Sequence, residues 1–124
     1  MVPIARLRSS RLGQVLIAAC VILITVLSLL PGSWQERTSL PGPVEHFIAY
    51  SGTGFVLALF LPRRLLWPAA ALLAAYSGLM EILQNFSPGR DPAVRDFLVS
   101  SAGAFFGAGI GWLAFHRRAD GDEA

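Results

Sequence analysis

The sequence predicts an all-α protein: an integral membrane bundle of four transmembrane helices with both termini in the cytoplasm (N-in/C-in). Three observations carry this expectation. Of 124 residues, 54% are hydrophobic, whereas an ordinary soluble domain is about 45–50% apolar. The excess gathers into four blocks, residues 12–30, 44–61, 65–86 and about 92–115. Each is close to the roughly 20 residues needed to cross the hydrocarbon core as a helix. The arginines, finally, collect at the block ends. The blocks use most of the chain, so residues 1–124 read as one membrane domain.

All 10 basic residues are arginine. Their positions follow topology, so the net charge of +2 is no sign of nucleic-acid binding. Arg6, Arg8 and Arg11 precede the first block, Arg63 and Arg64 fill the second loop, and Arg117 and Arg118 follow the last block. Arg37, Arg90 and Arg95 lie on the other side. The positive-inside rule then places the first and third loops outside the cytoplasm. The single cysteine, Cys20, excludes an intrachain disulfide and a multi-cysteine metal site.

Each element has local punctuation. The first block begins after a basic segment, as a secretory signal does, and Ile17-Ala18-Ala19-Cys20 resembles a lipoprotein cleavage site. Apolar residues continue from Val21 to Leu30, which favours an uncleaved span. Pro31-Gly32 ends it. Pro41-Gly42-Pro43 leads into the second block, with Pro43 suited to a first helical turn, and Pro62 ends that block. Pro68 fits the first turn of the third block, and Ser87-Pro88-Gly89 stops it. Asp91-Pro92 reads as an N-cap and first-turn proline for the fourth block. The tail from Ala119 is short and acidic.

Residues three or four apart share a helix face. In the third block Ala74, Ser77, Gly78, Glu81 and Gln84 align, opposite Leu72, Leu79, Leu83 and Phe86. In the second, His46, Tyr50 and Thr53 align beside Gly54. In the fourth, Asp96, Ser100, Gly103, Gly107 and Gly111 align. The first block offers only Thr25 and Ser28, so it should be the most lipid-exposed. The Gly103-Gly107-Gly111 spacing lets helix backbones approach closely. Packing within the bundle is expected, because the stripe ends in Asp96, which requires a polar interior. A homodimer seam is the alternative.

Glu81 is the residue that most needs a reason. A charge at membrane depth costs roughly 2.5–3.5 kcal/mol on insertion scales. His46, Glu81, Gln84, Arg90 and Asp96 all fall at the same predicted membrane level, near the outward ends of three spans. They predict a shallow, outward-facing polar pocket. Glu81 either pairs with Arg90 or His46 or sits protonated there. An ion-paired lock that pins the third loop is the structural counterpart of a binding site. Trp34 and Tyr50 are expected as interface or packing aromatics, and Glu45 as a helix-dipole partner. His46, Glu81 and Asp96 have the chemistry to hold a divalent cation, but an ion-pair network would use the same residues. No metal and no cofactor is therefore expected. His46 and His116 fall on opposite faces and cannot share an ion. The sequence has no phosphate-binding glycine loop and no nucleophile–histidine pair at recognisable spacing.

The order His46-x-x-x-Tyr50, Glu81-x-x-Gln84, Pro88-Gly89-Arg90, Asp96, Gly103 and Gly107 resembles the VanZ-like family of small bacterial membrane proteins. The resemblance runs from Glu45 to about Trp112, and a family core of about 44–115 follows from it. One position departs: the family commonly has asparagine four residues after the aspartate, where this chain has Ser100. The resemblance implies a multi-pass protein of the bacterial inner membrane and cell envelope. The family's namesake is linked to low-level resistance to teicoplanin, a glycopeptide antibiotic that acts on the cell wall.

The functional expectation is a pocket of His46, Tyr50, Glu81, Gln84, Arg90, Asp96 and Ser100 that binds a polar or lipid-linked envelope component. Glu81 and Asp96 would hold donors or cations, Arg90 an anionic group, and Gln84 would orient the ligand. Partners would be membrane lipids and a lipid-linked or glycan component, with no nucleic acid. Two alternatives stay open. One is an enzyme on a lipid-linked or peptidoglycan-derived substrate with Glu81 as general acid or base. The other is a structural module that uses the glycine stripe. A transporter is disfavoured, since no inverted repeat or broken helix is visible.

Overall fold

The computed structural model describes residues 11–29, 42–86 and 94–116. Four helices follow one another: α1 (Arg11–Leu29), α2 (Gly42–Phe60), α3 (Arg63–Gln84) and α4 (Val94–Phe115). No strand occurs among the described residues. Three of the helices, α1, α3 and α4, are long and apolar enough to cross a membrane. The second expected span does form a helix, but it is not among those three. Glu45, His46 and the run Ser51-Gly52-Thr53 dilute it. Several positions singled out in the sequence lie outside the described residues. They are Arg6, Arg8, Pro31-Gly32, Trp34, Arg37, Pro41, the segment Ser87–Pro92 that includes Arg90, Arg117, Arg118 and the tail.

Helix boundaries follow the local chemistry. α1 runs unbroken through Cys20. Pro62 is extended at the entry to α3, with φ −66° and ψ 154°. Its carbonyl accepts the N–H groups of Leu65 at 2.9 Å and Leu66 at 3.1 Å, which forms the first turn. α3 thus begins two residues earlier than expected, and Pro68 stands beyond the first turn, inside the helix. A proline there removes one ladder bond, and it does so near the exposed Arg63–Leu65 end. At the other end Asn85 is the C-cap, and its side-chain amide donates to Ile82 O at 3.0 Å.

The principal seam is α2 against α4. Gly103, Gly107 and Gly111 lie directly on α2. A Cβ on Gly107 would stand 1.8 Å from Ser51 O, and one on Gly103 would stand 2.8 Å from Phe47 O. Gly54 faces back, 2.3 Å from Ala104 O by the same construction. No side chain fits between these backbones, so the seam holds by close van der Waals contact. The core beside it is built from Ile24, Tyr50, Leu57, Ala58, Leu66, Ala70, Leu73, Ala104 and Ala108. α1 lies outermost, burying only Gly13, Ile24 and Ser28. Leu72, Ile82, Phe86, Val94 and Leu98 are exposed. Such an apolar surface suits contact with lipid.

Candidate functional site

The site forms where the N-terminal ends of α2 and α4 meet the C-terminal end of α3. His46 is the fifth residue of α2, just past its first turn. Asp96 lies in the first turn of α4. Glu81 lies in the last turn of α3, three residues before its end. One ligand-capable atom from each of these three side chains falls within 4.8 Å of the other two. His46 Nε2 and Asp96 Oδ2 are 4.0 Å apart. That separation is an ion-pair distance but too long for a hydrogen bond. The second carboxylate oxygen, Asp96 Oδ1, is buried and has no hydrogen-bond partner among the described residues.

The electrostatics of the three positions differ. Asp96 sits at the positive end of its helix dipole, which favours a carboxylate. Glu81 sits at the negative end of α3, where the last carbonyls add to its own charge. The helix therefore does not stabilise Glu81, and its neighbours must. The buried stripe of α3 is Leu66, Ala70, Leu73, Ala74, Ser77, Met80 and Gln84. Glu81 stands at the border of that stripe and is half-buried. The stripe includes Met80 and Leu73 as well as the polar residues Ser77 and Gln84.

The remaining candidates divide. Tyr50 is 2% exposed and lies within electrostatic range of Tyr76 and Glu81. Ser100, one turn beyond Asp96, is 1% exposed. Gln84 is turned elsewhere: its amide donates to Ser28 O on α1 at 3.0 Å. Ser28 is in the last turn of α1, where carbonyls lack helical partners, so Gln84 caps that helix from outside. Arg90 is outside the described residues. The Thr25 hydroxyl, paired with the Tyr76 hydroxyl, adds a second tie between α1 and α3.

A groove of about 640 Å³ adjoins the cluster. Its walls are Ala75, Gly78, Leu79, Glu81, Ile82, Asn85, Val94 and Phe97, from α3 and α4. The lining is mainly apolar, and Leu79, Ile82 and Val94 are themselves exposed, so the groove opens on the outer surface. Gly78 shapes it, since a Cβ there would come 3.1 Å from the Phe97 ring. Sequence periodicity marked Gly78 as part of a polar face and gave no sign of Phe97. Glu81 is common to the groove and the polar cluster.

The opposite end of the bundle is closed differently. His116 Nε2 is 2.9 Å from Ala58 O, which joins the end of α4 to the end of α2. Arg63 stacks over Trp112 at 5.9 Å, and Phe55 packs edge-on to Phe115. His46 and His116 thus stand at opposite ends of the helix pair.

A family model described as VanZ/LLP1 matches residues 14–115. The match takes in α1 as well as the three helices that form the site. No curated protein matches, and no solved structure matches.

Proposed function

The chain belongs to the VanZ-like family, and from that premise we propose that it is a multi-pass protein of the bacterial inner membrane that binds a lipid-linked component of the cell envelope. In this reading all four helices cross, both termini are cytoplasmic, and the cluster faces outward. One observation carries it. Glu81 belongs both to the polar cluster and to the wall of an apolar groove that opens on the exposed apolar surface of α3 and α4. One ligand would therefore lay its hydrocarbon chain in the groove and bring its polar group to His46, Glu81 and Asp96. Arg90 would take an anionic group, with Tyr50 and Ser100 behind the cluster and Gln84 fixing α1. A link to glycopeptide resistance would run through the wall component so held.

The test is native mass spectrometry of the full chain released from bacterial membranes. Wild type is compared with Ala75→Phe, which fills the groove, and with Glu81→Gln. The reading expects an anionic lipid-linked species on wild type and its loss from both variants. Bulk phospholipid alone on all three proteins would overturn it.

The groove also favours the enzymatic alternative, since Glu81 lines it and it is open at the surface. Glu81 would then act as general acid or base with His46 or Asp96 as partner. Turnover of the bound species, absent in Glu81→Gln, separates catalysis from binding. The structural-module reading needs the glycine stripe on the outside, whereas here α2 covers it.

A further inference from the structure

We propose that His46, Glu81 and Asp96 form a binding site for one divalent transition-metal cation, with Zn²⁺ or Mn²⁺ as the fitting ions. The donors come from three helices, so an ion there would tie the ends of α2, α3 and α4 together. Divalent ions with bonds of about 2.0–2.2 Å hold their ligand atoms roughly 3–4.4 Å apart, depending on geometry. The His46–Asp96 distance of 4.0 Å lies inside that range. The limit of 4.8 Å for the whole set exceeds it by a few tenths of an ångström, which side-chain rotation supplies.

A further observation points to an ion. Asp96 Oδ1 is buried without a hydrogen-bond partner among the described residues. A buried carboxylate oxygen normally finds a donor or a metal. The imidazole selects among cations. Carboxylates alone suit Mg²⁺ and Ca²⁺, whereas a nitrogen donor favours the transition series. Three protein ligands leave at least one coordination position for water or an added oxygen.

The inference goes beyond the lipid-binding reading and is tested without any lipid ligand. The full chain, carrying no polyhistidine tag, is purified in a non-ionic detergent and stripped with a chelator. It is then titrated with Zn²⁺ alone and with Mn²⁺ alone. The expected result is one ion per chain, with Mg²⁺ and Ca²⁺ at least tenfold weaker. His46→Ala and Asp96→Asn should each weaken binding at least tenfold, and Glu45→Gln, an acid on the same turn outside the set, should bind as wild type does. Mn²⁺ magnetic resonance should show nitrogen coupling that vanishes in His46→Ala. The wild-type titration decides even where a variant fails to fold. No stoichiometric ion on wild type, or no nitrogen coupling at the bound Mn²⁺, overturns the site. Equal binding by Asp96→Asn does the same.

Discussion

Gly107 lies so close to α2 that a Cβ on it would stand 1.8 Å from the carbonyl oxygen of Ser51. Backbone cannot rotate away as a side chain can, so the helices would have to separate. Gly107→Ala should cost about 3 kcal/mol or more, at the upper end for overpacking. Gly109→Ala is the control on the same helix, because nothing lies within 4 Å of its Cβ position. It should change stability by no more than about 0.5 kcal/mol. Reversible unfolding in mixed micelles measures both. Equal values for the two variants would mean that the α2–α4 seam is not closed through Gly107.

Gln84 is placed to hold α1. Its amide donates to Ser28 O, and Gln84 is 3% exposed. Gln84→Leu leaves that carbonyl without its donor and should destabilise the bundle by about 1–3 kcal/mol. Cys20 provides a second readout. It is the only cysteine, it is half-buried on α1, and its alkylation rate should rise in the variant. An unchanged rate with unchanged stability would show that α1 is held by its apolar face alone.

The gathering of His46, Glu81 and Asp96 was legible in the sequence because it follows from connectivity. Consecutive antiparallel helices bring the start of one to the end of the next, and these residues lie at such ends. The Gly103-Gly107-Gly111 spacing likewise announced a close approach, since only an absent side chain permits one. Other features had no periodic signature. The Gln84–Ser28 bond joins residues 56 apart, and a polar residue near a helix end does not name its acceptor. The groove depends on Gly78 facing Phe97, a match of volumes between two helices. The start of α3 was set by Pro62 as its cap, which pushed Pro68 into the helix. Hydropathy alone put that start two residues later.

Glu81 is the residue through which binding and phenotype should be linked. A hydrogen bond to a charged group contributes about 1.5–3 kcal/mol, which corresponds to roughly 10–150-fold in affinity. Glu81→Gln keeps the shape of the side chain and removes the charge. If the chain acts on the envelope as proposed, deleting it changes glycopeptide sensitivity, and Glu81→Gln at matched protein level should behave as the deletion does. Full retention of the wild-type sensitivity would remove Glu81 from the functional site.

Orientation in the membrane can be argued from charge and checked directly. The cluster end of the bundle carries His46, Glu81 and Asp96, and the other end carries Arg63, Arg64 and His116. Seven arginines assort with the second end along the chain and three with the first. Arginine-rich loops are retained in the cytoplasm, so the cluster end should face outward. Alkaline phosphatase fused after Phe86 should therefore be active. A fluorescent reporter that folds only in the cytoplasm should shine when fused after the C-terminal residue. The Arg63–Arg64 pair supplies the charge test. Replacing both with glutamate narrows the bias from seven against three to five against three, which should produce mixed topology. An inactive phosphatase after Phe86 in the unaltered chain would put the cluster on the cytoplasmic side. A ligand assembled outside the cell could not then reach it, whereas a cation or an inward-facing lipid could.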